Sequence, residues 1–261
     1  MPLDMVLERR AEEVLRDHDS YRLPVDPLAI AREDGVELVS RSFSPGFDGR
    51  IRYLKLVKTF VLAYRESGPG RPEGRVRFTV GHELGHLYLH TDYLLSGKWH
   101  SSVTNYRSDK DIERQADAFS AALLMPMELF RAEVKREHSG FCDINGLSSL
   151  ATSMKTSLSS VAIRYCDCDI DPCCIVLSQY GTVLWGFAST DFRLLGMGWI
   201  PKGSRVPRMS VTCRMEHEQA DGLVEPTVWF ERPMCSGQLW EEARVLGASG
   251  LTLTLLARDS R

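Results

Sequence analysis

The sequence predicts an α+β fold, and three observations carry that reading. Two segments of helical period, Arg75 to His90 and Asp111 to Pro126, lie in the first half of the chain. Three short strand-like runs precede them, and from Cys173 onward the pattern changes to hairpins and further strand-like pieces. The expected organisation is an α+β domain over residues 1–130, a helical, helix-turn-helix-like segment over 131–168 and a smaller α/β domain over 169–261. A chain of 261 residues with 43% hydrophobic content is long and apolar enough for such cores. Its net charge of -3 argues against bulk attraction to nucleic acid. No apolar run approaches the roughly 18 residues of a membrane span. The start MPLDMVLERR lacks the apolar core of a signal peptide, so a cytoplasmic protein is expected. Seven cysteines, an odd number without an evident framework, read as reduced thiols.

Taken in order, Asp4 to Asp17 repeats Leu7, Ala11 and Val14 at helical spacing. Asp26 then Pro27 is a cap followed by a first-turn proline, and Gly35 is a stop, which makes Pro27 to Asp34 a second short helix. Val36 to Arg41, Arg50 to Leu56 and Thr59 to Tyr64 read as strands, with Gly46, Asp48 and Gly49 marking the first turn. They are expected to form an antiparallel sheet whose edge is Thr59 to Tyr64, where an extended peptide could pair. Gly68 to Gly74 is a loop rich in Gly and Pro. Ser96 to Arg107 is a polar loop ahead of a helix capped by Ser108.

Pro126 to His138 is again helical. Ile144 to Tyr165 gives two short helices around Lys155 to Ser157, a helix-turn-helix-like unit. Its second helix offers only Arg164 as a basic residue, which favours packing or substrate docking over DNA reading. Cys173 to Ser178 and Thr182 to Ala188 flank Gln179, Tyr180 and Gly181 as a hairpin. Ser210 to Met215, Thr227 to Glu231 and Leu251 to Ala257 read as strands, and Gln238 to Leu246 as a helix. Trp185, Phe187, Phe192 and Trp199, with Arg193, Lys202, Arg205 and Arg208 nearby, combine stacking surface with positive charge. That mix suits a small molecule or single-stranded DNA, although aromatics at alternating strand positions are also ordinary core.

The chemistry concentrates in RVRFTVGHELGHLYLH. His82 and His86 lie one helical turn apart and share a face about 40° wide. Paired imidazoles suit zinc, which takes nitrogen donors in a tetrahedral site and keeps one position open when it is catalytic. Glu83, roughly 100° round the helix from His82, can overhang that position and act as a base towards an attacking water. Downstream, DIERQADAFSAALLMP sets Glu113 and Asp117 four apart on one helix face. Glu113 is then the candidate third ligand, and Asp117 a partner for the far nitrogen of a ligating histidine. The ordinary alternatives are core or surface histidines and a solvated acidic helix face.

His90 continues the histidine series but lies about 6 Å further along the axis, so it is read as a packing or hydrogen-bonding residue. Tyr93, placed on the helix face of His82, and His100 or Tyr106 in the following loop are candidates to steady an oxyanion. Cys166, Cys168, Cys173 and Cys174 form a cluster without the CxxC pairs of structural zinc sites. Small buried residues entering a strand are the favoured reading there, and a second zinc site is the alternative.

RFTVGHELGHLYLH followed downstream by ERQADAFSAALLMP resembles the ImmA/IrrE-type family of zinc metallopeptidases. The resemblance is specific over about Arg75 to Pro126. It implies a zincin-like domain with zinc held by His82, His86 and Glu113, Glu83 as the catalytic base and Asp117 behind a ligating histidine; manganese is a candidate substitute. It also implies an endopeptidase whose substrate is a helix-turn-helix transcriptional repressor, cut in a stress, DNA-damage or anti-phage response. A GAF-like sensor fold is implied for the C-terminal domain, with single-stranded DNA as a candidate activator. The rival from another class is a non-catalytic DNA- or regulator-binding protein with a structural zinc site. Such a site takes four protein ligands and the sequence offers three good ones, which leans towards catalysis. A general peptide-clearing enzyme is disfavoured by a long tail with no evident chemistry.

Overall fold

The computed structural model describes residues 3–41, 48–68, 72–96, 107–137, 141–234, 236–247 and 250–258. The chain divides into two compact units, one of Met1–Ala132 with Ala151–Ser157, the other of Glu133–Leu150 with Leu158–Arg261. Residues 131–168 therefore contribute to both. No helix among the described residues is long and apolar enough to cross a membrane.

The first unit opens with α1 (Leu3–Asp17) and α2 (Pro27–Glu33). Leu7, Ala11, Val14 and Leu15 are buried along one stripe of α1, as the helical spacing requires. The Asp26 carboxylate accepts from the Leu28 and Ala29 N–H groups and caps α2, Pro27 fills the first turn, and Gly35 turns out of the helix at φ +70°. His18, past the end of α1, bonds through both ring nitrogens: Nδ1 to the Val14 carbonyl at 2.8 Å and Nε2 to Asp34 at 2.9 Å. The Tyr88 hydroxyl donates to the second Asp34 oxygen.

Burial opposes charge on the His18 ring, but the Val14 carbonyl and the Asp34 carboxylate outweigh it and raise the pKa above 6.5. A raised folded value means that the contribution is complete below 6.5 and is lost as pH climbs through the folded value. His18→Gln is therefore expected to cost about 1 kcal/mol at about pH 5.5 and much less at about pH 9. Urea midpoints at both pH values check this, and a loss independent of pH would remove the ionic account.

β1 (Glu37–Ser40), β2 (Gly49–Leu54) and β3 (Thr59–Tyr64) form a sheet in the order β1-β3-β2, with β1 parallel and β2 antiparallel to β3. This corrects the expected antiparallel sheet edged by Thr59 to Tyr64. TFVLAY is the run without charge and takes the centre, paired on both sides. ELVS and GRIRYL carry charged residues and take the edges, where exposed backbone needs them. Ile51 and Leu62, opposite each other in register, are fully buried beneath the sheet.

The sheet is followed by α3 (Glu73–Leu89), α4 (Thr91–Ser96) and α5 (Arg107–Leu124). The first of these starts inside the expected Gly68–Gly74 loop, and the chain turns at His90, so Tyr93 lies on α4 and not on the helix face of His82. The Thr91 hydroxyl, donating to the Leu87 carbonyl, occupies an acceptor that a continuing helix would use. Ser108 lies inside the first turn of α5, one residue past its start, and not at its cap. His100 and Tyr106 lie outside the described residues, as does Gly46.

Beyond α5 come α6 (Met127–Glu137), α7 (Ile144–Ser153) and α8 (Leu158–Asp167). Arg164, the one basic residue available for DNA on α8, is buried and paired with Asp167 at 3.1 Å. The second sheet is antiparallel, in the order β5-β4-β8-β7-β6: β4 (Cys173–Gln179), β5 (Thr182–Ala188), β6 (Gln219–Val224), β7 (Leu239–Leu246) and β8 (Leu251–Arg258). The expected hairpin is β4 and β5, turned by Tyr180 and Gly181 at φ +48° and +72°. Two short helices, α9 (Thr190–Leu194) and α10 (Val211–Arg214), lie between the strands β5 and β6.

Three expectations fail in this region. Gln238 to Leu246 is a strand and not a helix, because Glu241 and Glu242 find partners far away in sequence. Glu241 accepts from Thr212 N–H and hydroxyl and from Trp229 Nε1, while Glu242 caps α7 through Ile144 N–H. Ser210 to Met215 is not a strand: Ser210 accepts from Cys213 N–H and starts α10. Thr227 to Glu231 gives way to a 3-10 turn, Pro226–Val228, whose proline fits its first position. Strand β6 was not expected.

Candidate functional site

The approach of α3 and α5 is built from small side chains. Gly81 and Gly85 on α3 face Ser120 and Ala116 on α5. A Cβ on Gly85 would stand 2.9 Å from the Ala116 Cα, and one on Gly81 would stand 2.6 Å from the Ser120 Oγ. The Ser120 hydroxyl donates to the Phe78 carbonyl at 2.9 Å and pins the two helices together. Glu113, one turn before Ala116, is thereby carried onto the paired histidines.

His82 Nε2 and His86 Nε2 are 3.1 Å apart, with Glu113 Oε2 3.2 Å from the first and Glu113 Oε1 3.5 Å from the second. Two donors each about 2.0–2.1 Å from a tetrahedral ion stand about 3.3 Å apart. The three side chains are thus already spaced for one such ion, and among the described residues they are the group whose ligand atoms converge. Cys166, Cys168, Cys173 and Cys174 form no such group. All four are buried, with Cys166 and Cys173 sulfurs 3.3 Å apart.

The outer nitrogens of both rings are engaged. His82 Nδ1 lies 2.8 Å from Asp117 Oδ1. His86 Nδ1 faces His90 Nδ1 at 3.4 Å, and His90 Nε2 in turn lies 3.0 Å from Gln115 Oε1. His90, set aside as a ligand, therefore lies behind His86.

The electrostatics favour one added positive charge at the centre. Burial would lower the His82 pKa, but hydrogen bonds to Asp117 and Glu113 overcome it and carry it to about 10. His86, buried and beside that charge, is depressed to about 4. The hydrogen bond from His82 holds Glu113 below the usual carboxylate range. A divalent cation at the same point would satisfy all of these groups at once.

Glu83 is buried against the sheet, and its Oε2 accepts from the Ile51 N–H at 2.8 Å. Burial pushes its pKa up to about 7, against the pull of His82 and the Ile51 N–H. The donor comes from β2, an edge strand, and this contact was not legible from the sequence. Gly49 makes room for it, since a Cβ there would collide with Thr79 and touch Glu83. Arg75 Nε bonds Asp48 at 2.8 Å and ties the start of β2 to α3.

Residues 47–165 match the family model described as Peptidase_M78, IrrE N-terminal-like domain. That stretch is similar to an IrrE N-terminal-like domain. The matched residues run from the one before Asp48 through His82, His86 and Glu113 to Tyr165, and the family is one of peptidases. A Mycobacterium tuberculosis transcriptional regulator has a similar structure over 98% of this chain and 76% of that one, with a TM-score of 0.62 and 14% identity, a likeness of fold. None of the curated proteins matches.

Of the sensor candidates outside residues 47–165, Phe192 packs in the core with Phe230, whereas Trp199 is exposed. Arg205 bonds Thr182 and the Tyr180 carbonyl, and Arg193 bonds Thr190.

Proposed function

We propose that this chain is a zinc-dependent endopeptidase that cleaves a helix-turn-helix transcriptional repressor in a stress, DNA-damage or anti-phage response. The observation that carries the reading is the convergence of His82, His86 and Glu113 at the spacing of one tetrahedral ion, with the buried Glu83 carboxylate next to His82 in sequence. His82, His86 and Glu113 would hold the ion. A bound zinc supplies Lewis acidity, polarising the scissile carbonyl and acidifying water; manganese can serve the same end. Glu83 takes a proton from the attacking water and passes it to the leaving nitrogen as the C–N bond breaks. The Ile51 N–H holds one oxygen of that carboxylate in place. Asp117 fixes the tautomer of His82, so that Nε2 presents its lone pair inward.

In this reading residues 1–130 form the zincin-like catalytic domain, 131–168 a helical docking segment and 169–261 a GAF-like sensor, for which the five-stranded antiparallel sheet is the support. The test is incubation with repressors encoded nearby, with zinc, with manganese, with chelator and with added single-stranded DNA. Repressor fragments on a gel that require metal and Glu83 support the reading. Intact repressor under every condition overturns it.

His90 and Gln115 contribute from behind the ligands. His90→Ala is expected to weaken zinc binding by about 10–100-fold, read by competition with a chromogenic chelator. Unchanged affinity would relegate His90 to packing.

A further inference from the structure

Among the described residues β2 is an edge strand, and it faces the catalytic base, because its Ile51 N–H bonds to Glu83. The hairpin continuing from that edge has an unusual composition. From Gly49 to Arg65 the chain carries Arg50, Arg52, Lys55, Lys58 and Arg65 and no acidic residue, within a chain of net charge -3. At its turn Leu54, Leu56 and Val57 are 42%, 100% and 62% exposed, and Lys55 and Lys58 beside them are also exposed. A turn connecting two short strands has no structural need for two exposed aliphatic side chains between two cations, with a third just before them.

We infer that this hairpin is the specificity surface for the substrate, and that it selects an extended segment in which acidic and aliphatic side chains are mixed. The inference rests on the peptidase reading and names the substrate chemistry for it. Three residues separate Ile51 from Leu54, about 10 Å along a strand, so the selected side chains lie about three to six residues from the bond cut. A peptide adding to β2 would hydrogen-bond through its backbone whatever its sequence, and discrimination must come from side chains beyond the strand. Lys55 and Lys58 supply the charge preference, and Leu56 with Val57 supply apolar contact. Nucleic acid would also answer to the cations, but the residues between them are aliphatic and offer no ring on which a base can stack.

The test uses the full chain carrying Glu83→Gln, so that peptides are bound and not consumed. Fluorescence anisotropy compares labelled peptides with alternating Glu and Leu against the same peptides with Lys or Gln in place of Glu. The acidic peptide is expected to bind at least about tenfold tighter than the lysine peptide, with the margin shrinking at about 0.5 M salt. Adding Lys55→Glu and Lys58→Glu should invert the order, and Leu56→Ser with Val57→Ser should weaken every peptide. All four positions are exposed, and an unchanged melting temperature checks that the fold is kept. Equal binding of the three peptides, or an order unmoved by the charge reversals, overturns the inference. So does a single-stranded oligonucleotide that binds tighter than the acidic peptide through the same two lysines. In parallel, the zinc-loaded wild-type chain is given degenerate peptides: cleavage without acidic preference removes the hairpin's role and leaves the peptidase. Selective binding without any cleavage keeps the surface and removes the peptidase.

Discussion

Glu83→Gln is expected to keep the metal and lose cleavage by a factor of about 10²–10⁴, the usual contribution of a positioned general base. Glutamine has the same shape, and its carbonyl oxygen can still accept from the Ile51 N–H. The variant should therefore fold and bind zinc as the wild type does, while the proton of the attacking water has no acceptor. It also removes a carboxyl that burial holds at about pH 7. Since burial disfavours the charged form, the neutral amide should leave stability unchanged or slightly raised above neutral pH. Full cleavage by a zinc-loaded Glu83→Gln protein would assign the base to another residue. His86→Ala, by contrast, should lose metal and activity together.

Gly85→Val is expected to have the second largest effect, at a distance from the reacting atoms. Even the first added carbon would stand 2.9 Å from the Ala116 Cα and 3.1 Å from its carbonyl oxygen, and neither is a flexible side-chain end. The helices must separate, and Glu113 moves with α5 away from imidazole nitrogens that now lie 3.2 and 3.5 Å from it. Over-packing of this kind costs about 1–3 kcal/mol, and zinc affinity should fall by about two orders of magnitude, since Glu113 and Asp117, the partner of His82, are both displaced. Leu7→Ala on the buried face of α1 is the comparison, destabilising by about 2–4 kcal/mol through a cavity with no atom forced between α3 and α5. If both variants lose metal alike, global stability and not helix spacing sets the affinity. Zinc content after dialysis and urea midpoints separate the two cases.

The site was legible because its parts are local. His82 and His86 share a face whatever surrounds the helix, and the same is true of Glu113 and Asp117; only their meeting required a tertiary contact. The Gly81, Gly85 pair and the Ala116, Ser120 pair, each four apart, were the visible sign of that contact and were missed. The hydrogen bond from Ile51 to Glu83 had no sign, since it spans 32 residues and depends on which strand lies at the edge. Gln238 to Leu246 was misread because Glu241, Glu242, Ala243 and Arg244 suit a helix locally, whereas the partners of Glu241 lie 12 and 29 residues away.

By itself the sequence determined the helices that carry the converging side chains, the order of His82, Glu83 and His86 along the first of them, and the hairpin that opens the second sheet. These follow from backbone periods and turn preferences, which act over a few residues. Tertiary structure alone decided the sheet order, the strand fate of residues 239–246 and the break at His90. Each of those depends on distant groups competing for the same hydrogen bonds and the same buried space.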